Sequence, residues 1–126
     1  MEFAELGGEL LPALYVTYFH TREELQQALA AEDIEISLVD SPAQTHWLEA
    51  DDGRPAAIVL IEPERYDAAT VGLIAHEAVH VVQTYLRWLG ESHPGDEMQA
   101  YLVQAVMAYL IETHTDIYLD ANVIEA

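Results

Sequence analysis

The sequence predicts an α+β fold: a small mixed or antiparallel sheet with an N-terminal helix, followed by two long helices that carry the candidate site. Alternation of apolar and polar residues, which is typical of strands, is confined to the first half of the chain. From about residue 67 apolar residues recur every three or four positions, the period of an amphipathic helix. Because 126 residues suit one domain, we expect a single domain over residues 1–126.

The composition is both acidic and apolar. The chain has 23 Asp and Glu against 4 Lys and Arg, a formal net charge of −19, yet 52% of its residues are hydrophobic. The apolar share suffices for a core, whereas the negative charge repels phosphate, so we expect neither nucleic acid nor an anionic membrane as a partner. Residues 1–11 do not resemble a signal peptide, no apolar window approaches 18 residues, and cysteine is absent. These features predict a soluble, cytoplasmic protein.

The first half of the chain predicts four strands and one helix. The strands are expected at residues 14–19, 34–40, 44–50 and 55–61. Thr21 and Glu24 have capping-box spacing and predict a helix that ends near Ala31. The Asp52-Gly53 pair favours a hairpin between the last two strands. The final strand is apolar throughout, which predicts that it is the most buried.

The second half predicts two helices. The first is expected to begin near Asp67 and to continue to Leu89, where a break at residues 90–95 follows. The second is expected to run from Asp96 to about Thr113, because acidic residues in its first turn suit the helix dipole. The last dozen residues are weakly patterned and predict no element.

A chemical signal lies inside the first long helix, in the sequence His76-Glu77-Ala78-Val79-His80. At about 100° per residue, His76 and His80 lie about 40° apart on one face, so both imidazoles can reach one ion. Glu77, at the edge of that face, is placed to take a proton from the attacking water in a hydrolytic zinc site. Chance predicts roughly 0.03 such matches in a chain of this composition. The alternative is a pair of exposed histidines with no ligand.

A zinc site of this kind needs a third protein ligand. Glu97 is preferred and His93 is next, from a wider set of downstream residues: Glu91, His93, Asp96, Glu97, Glu112 and His114. Glu97 shares a helical stripe with Tyr101 and Gln104. One geometric objection remains, since a first helix unbroken to Leu89 places His80 about 13 Å from the turn, nearer Gln104 than Glu97. Glu97 then requires a bend in the first helix or a connection that runs back along it.

The other polar and aromatic residues receive simpler expectations. Tyr101 is the preferred donor to a developing oxyanion, with Tyr109 as a second possibility. Packing is the alternative for both tyrosines. The three histidines without a spacing partner, His20, His46 and His114, are expected to face solvent.

The segment around the motif resembles uncharacterised metallopeptidase-like proteins of tailed bacteriophages and prophages and, more distantly, minimal gluzincins. The matching residues are Leu73 to Gln83, Leu89-Gly90-Glu91, Pro94, Glu97, Ala100-Tyr101 and Gln104, within residues 70–108. The resemblance implies that His76, His80 and Glu97 bind zinc, that Glu77 is the general base, and that a peptide aligns along a sheet edge at residues 44–50. It also implies host cytoplasm as the location if a phage encodes the chain.

Two functional hypotheses follow. The first is a zinc-dependent hydrolase that acts on a peptide or protein substrate, with Glu77 as general base. The second is a non-enzymatic acidic protein that binds a basic protein partner, as a phage assembly factor, an inhibitor or a nucleic-acid mimic with a structural or vestigial metal site. The charge of −19 favours the second, and the motif favours the first. The sequence leaves the substrate and the oligomeric state open.

Overall fold

The structure, a computed structural model, describes residues 1–7, 12–91, 93 and 95–125, and for residues 119–125 the backbone alone. It is a small α+β protein with a four-stranded mixed sheet and three helices, so the predicted class is confirmed. In chain order the elements are β1 (Ala4–Leu6), β2 (Leu14–Phe19), α1 (Arg22–Ala31), β3 (Ala43–Glu49), β4 (Pro55–Ile61), α2 (Ala68–Leu89) and α3 (Asp96–Glu125).

The strands are arranged in the order β1-β2-β4-β3. β4 lies inside the sheet, parallel to β2 and antiparallel to β3, while β1 pairs antiparallel with β2. Residues 56–61 of β4 are at most 3% exposed, as the uniformly apolar run predicts. The predicted hairpin joins β3 and β4, and in the described part of the chain β3 is an edge strand beside α2.

Side chains on the two faces of β4 enter two different cores. Ala57, Val59 and Ile61 pack with α2 and α3 in the larger core. Ile58 and Leu60 point to the other face and pack against α1. Because successive strand residues alternate between faces, a wholly apolar strand is what a sheet covered on both sides requires.

Polar side chains cap the starts of two helices, and the first of these caps was predicted. Thr21 accepts a hydrogen bond from the Glu24 backbone N–H at 3.1 Å, which confirms the cap of α1. This helix follows two strands, so it is not the first element of the chain. Asp67 caps α2 by accepting hydrogen bonds from the Thr70 hydroxyl and backbone N–H, and these bonds hold the pKa of Asp67 below its ordinary value.

The strand predicted at residues 34–40 is absent, and this prediction is wrong. The alternation of apolar and polar residues in this segment nevertheless corresponds to one partly buried face, because Ile34, Ile36 and Leu38 pack against the core beneath α1. No described strand pairs with it. At its start the Ile34 N–H bonds the Leu29 carbonyl, and at its end the backbone of Val39 bonds side chains. The Gln44 amide bonds both the N–H and the C=O of Val39 at 2.9 Å.

Two further elements differ from the prediction. β1 was not predicted, since its three residues are too few to show a period. α3 extends to Glu125, beyond the expected end near Thr113.

His114, expected to face solvent, is instead 0% exposed and connects α3 to the rest of the protein. Its Nε2 donates to the Arg65 carbonyl at 2.8 Å, and the Tyr18 hydroxyl donates to its Nδ1 at 2.6 Å.

The lengths and compositions of the helices bear on membrane insertion. Among the residues that the structure describes, no helix is both long and apolar enough to span a bilayer.

Candidate metal centre

The two histidines of the motif and the glutamate between them differ in burial along α2. His76 and His80 lie on the exposed side of the helix, whereas Glu77 is 4% exposed and turned toward the sheet. The helical rotation of about 100° per residue explains this division, because Glu77 is about a quarter turn round from His76. Glu77 therefore lies next to the face of α2 that packs in the larger core, which includes Ile74, Ala78 and Val81.

The two imidazoles are close enough to share one ion. Their Nε2 atoms lie 3.1 Å apart and their ring centroids 4.7 Å apart. Two zinc–nitrogen bonds of about 2.0–2.1 Å at a tetrahedral angle separate the nitrogens by about 3.4 Å. Neutral imidazoles protonated on Nδ1 would each offer an Nε2 lone pair at this spacing. The pair therefore fits two positions in the coordination shell of zinc.

Glu77 is oriented by the neighbouring strand. The Thr45 hydroxyl on β3 donates a hydrogen bond to Glu77 Oε1 at 3.0 Å. Oε2 accepts none from the described residues and is not closed off from solvent. One oxygen of the carboxylate is thus held in place, while the other has no hydrogen-bond donor among the described residues.

A cavity of about 470 Å³ brings these groups together between α2 and β3. Its lining is Ala43, Gln44, Thr45, Trp47, His76, Glu77, His80, Thr84 and Arg87. Carboxylate, imidazole, hydroxyl and guanidinium groups therefore line the same space beside the edge strand.

His46 lies on β3 next to Thr45 and is half-buried. Burial lowers its pKa, and the charge of Glu77 opposes that shift. Its Nε2 donates to Gln44 Oε1 at 2.7 Å. The expectation that His46 simply faces solvent is therefore wrong, because it forms part of the polar network that supports β3.

The proposed third ligands lie elsewhere. In the described part of the chain, no group of three or more His, Cys, Asp or Glu side chains is placed to hold a metal. Glu97 is exposed in the first turn of α3, and His93 is exposed before it. α2 is unbroken to Leu89, so the geometric objection to Glu97 applies. The residues of α3 that share a groove with Val79 and Val82 are Asp96, Gln99, Ala100, Val103 and Gln104.

The proposed catalytic tyrosine also lies outside the cavity lining. Tyr101 is 66% exposed on α3. Tyr109, the second possibility, is half-buried among the apolar residues of the larger core, and burial raises its pKa. His76, Glu77 and His80 thus line one cavity, and Glu97, His93 and Tyr101 do not line it. The roles of all six residues stay predictions.

Among the cavity residues without a predicted role, Thr45 and Arg87 carry polar groups that bear on the site. Thr45 could have been found from the hairpin register, because odd-numbered positions of β3 turn toward α2. Arg87 follows His80 by seven residues, a spacing that returns a helical side chain to within about 20° of the same face.

Comparison with known proteins yields no relative: no family model matches the chain, and neither the curated proteins nor the solved structures give a significant match. The functional interpretation therefore depends on the geometry of the site itself.

Proposed function

We propose that this protein is a zinc-dependent hydrolase, specifically a peptidase, in a minimal zincin-like fold. The observation that supports the proposal most directly is the 3.1 Å separation of the His76 and His80 Nε2 atoms. Glu77, hydrogen-bonded by Thr45, lines the same cavity. Two neutral imidazoles and a carboxylate that is not a ligand are the residue types that zinc-assisted hydrolysis uses.

The residues have distinct roles in the proposed reaction. When bound, zinc supplies a Lewis acid that polarises the scissile carbonyl and lowers the pKa of a water molecule. His76 and His80 bind the ion through Nε2. Glu77 takes a proton from the attacking water and delivers it to the leaving amine nitrogen, while Thr45 keeps its carboxylate oriented.

The substrate is proposed to be a peptide that lies along β3. In the described part of the chain this strand pairs on one side alone, with β4. Backbone N–H and C=O groups at an open strand edge can pair with an extended peptide. The cavity with Glu77 adjoins this edge, so a peptide bound there would pass the reacting groups.

Glu97 remains the proposed third ligand and Tyr101 the proposed oxyanion donor. Both lie on α3, at exposed positions outside the cavity lining. Movement of the first turns of α3 toward His80 would be needed for either role. Their contributions are therefore tested separately from those of the two histidines.

Metal content tests the proposal. Wild-type protein purified without added metal should contain one zinc ion per chain, and His76→Ala should lose it. Glu77→Gln should keep the zinc but lose peptide hydrolysis, because the carboxylate acts as a base and not as a ligand. Glu97→Gln should weaken zinc binding on the order of 100-fold if Glu97 is a ligand, whereas Asp116→Asn, an exposed change on the same helix, should not.

Two outcomes would contradict the zinc proposal. One is wild-type protein free of zinc that also fails to bind zinc added at micromolar concentration. The other is zinc that survives in His76→Ala as fully as in the control His20→Ala. A loss confined to His76→Ala together with an unaffected Glu97→Gln would retain the two-histidine site and reject Glu97.

The alternative, an acidic protein that binds a basic partner, is favoured by two observations. The net charge is −19, and no third metal ligand joins the histidines among the described residues. Stable binding to a basic protein by a chain that holds no zinc would select this alternative. The same binding by zinc-loaded, hydrolytically active protein would identify the basic protein as a substrate.

A further inference from the structure

Arg87 lies in the same cavity as the motif. It follows His80 by seven residues, about 10.5 Å along the axis of α2 and about 20° round it. Side chains on a helix lean toward its N-terminus, and for Arg87 this is the direction of His80. Both residues line the space that contains Glu77.

Arg87 differs from the other arginines of the chain in its contacts. The other three each form an ion pair: Arg22 with Glu62 at 3.0 Å, Arg54 with Asp52 at 3.1 Å, and Arg65 with Asp67 at 2.9 Å. Arg87 forms no ion pair or side-chain hydrogen bond with any residue that the structure describes. Although the chain has 23 acidic residues, the guanidinium group of Arg87 can therefore bind a ligand in the cavity.

The chemistry of arginine narrows what it can bind there. A guanidinium group presents a planar fork of donors that matches a carboxylate in a bidentate arrangement. Arg87 also lies in the last turn of α2, where a cation interacts favourably with the helix dipole. The helix dipole explains why a cation lies near the C-terminus of α2, but it does not explain why the Arg87 side chain lines the cavity.

The spacing suits a peptide cut at the motif. His80 and Arg87 are about 10.5 Å apart along the axis of α2, and the lean of the Arg87 side chain toward the N-terminus shortens the distance between their end groups. The remaining distance is about the length of one or two extended substrate residues. A carboxylate one residue beyond the scissile bond would then be within reach of Arg87. An anionic peptide is repelled by the overall charge of −19, so a local cation is needed to retain it.

We propose that Arg87 binds a carboxylate of the substrate and so directs the site toward peptides with a negative charge beside the cleaved bond. The carboxylate comes either from the C-terminus of the peptide or from an acidic side chain. This inference rests on the proposed hydrolase function, because it assumes that the scissile bond lies at His76, Glu77 and His80.

Binding can be measured without catalysis. The probes are acetyl-Ala-Ala-Leu with a free C-terminus, its C-terminal amide, and acetyl-Ala-Glu-Leu-amide, added to zinc-loaded Glu77→Gln protein. With four arginines in the chain, the ¹⁵N spectrum of the Nε–H groups holds few signals, and the one missing in Arg87→Gln is assigned to Arg87. The free acid or the glutamate peptide should shift that signal, and the neutral amide should not.

Hydrolysis by the wild type gives the second measurement. Arg87→Gln should lower kcat/KM for the carboxylate peptide on the order of 10- to 100-fold, mainly through KM, and leave the neutral amide unchanged. Arg65→Gln removes another exposed arginine on the surface and should change neither. The free acid and the glutamate peptide distinguish the two sources of the carboxylate.

The failures of the two proposals are distinguishable. If neither carboxylate peptide shifts the Arg87 signal more than the neutral amide does, the role of Arg87 is rejected, even where zinc and hydrolysis are present. If the protein takes up no zinc and cleaves nothing, the hydrolase is rejected, and a shift of the Arg87 signal by the same peptides in the zinc-free Glu77→Gln protein retains Arg87 as a carboxylate-binding residue. Equal effects of Arg87→Gln on charged and neutral peptides would also reject the specificity role.

Discussion

Thr45 connects the edge strand to the proposed base, and its hydroxyl can be removed with little change of shape. Thr45→Val abolishes the 3.0 Å hydrogen bond to Glu77 Oε1. A hydrogen bond to a charged group contributes about 1.5–3 kcal/mol, so we expect kcat to fall roughly tenfold or more as the carboxylate loses its orientation. Zinc content should not change.

The conservative variant provides the control for Thr45. Thr45→Ser keeps the hydroxyl and should restore most of kcat, which a loss of packing alone would not explain. Equal kcat for wild type and Thr45→Val, measured with both proteins fully loaded with zinc, would contradict the proposed positioning role.

At the level of single residues, the sequence predicted the local arrangement but not the long-range one. The proximity of His76 and His80 follows from helical spacing, and their Nε2 atoms meet at 3.1 Å. The contact between Thr45 and Glu77 joins residues 32 positions apart, and it depends on how α2 docks on the sheet. For the same reason no local pattern could show that His114 is buried against Tyr18.

Among the elements, α2 offers two glycines with opposite expected effects. Gly90 ends the helix at φ 77°, in the left-handed region, and a Cβ there would meet nothing within 4 Å. Gly90→Ala should therefore destabilise the fold by about 1 kcal/mol through backbone strain alone. Gly72 lies inside the helix with equally open space, so Gly72→Ala should stabilise it by about 0.5–1 kcal/mol.

Urea denaturation of both variants measures this difference. The midpoints should move in opposite directions from the wild type while the slope with denaturant stays the same. A loss of stability in both variants would indicate contacts at these positions beyond those described, and a gain in both would mean that the helix does not end at Gly90.

Elements with a complete local signal were the ones predicted correctly. α2 has a cap at Asp67, a sustained apolar stripe and a glycine at its end, and its limits agree with the prediction. Residues 34–39 have the apolar alternation of a strand, but the alternation does not specify a hydrogen-bonding partner. The Gln44 side chain occupies the Val39 backbone groups, a contact that depends on the fold of both segments.

For the whole molecule, the charge of −19 gives a testable dependence on salt. Like charges repel more strongly in the compact state than in the unfolded chain, and salt shortens the range of that repulsion. At pH 7 the melting temperature should therefore rise as NaCl increases from about 10 to about 150 mM, where the Debye length falls from about 30 to about 8 Å.

Potassium chloride at the same ionic strength is the control for screening. It should reproduce the effect of NaCl, because screening depends on ionic charge and concentration. A melting temperature that stays constant or falls with either salt would show that favourable ion pairs, such as Arg22–Glu62, outweigh the repulsion between acidic residues.

The parallel pairing of β2 with β4 also has a consequence for how the chain folds. The register places Val16 beside Ala57, residues separated by 41 positions, so a long loop must close before the centre of the sheet forms. Until then residues 56–61, six apolar residues with no charge, have no partner strand on that side. Such a segment is prone to intermolecular β pairing, so refolding at high protein concentration favours aggregation over the native sheet.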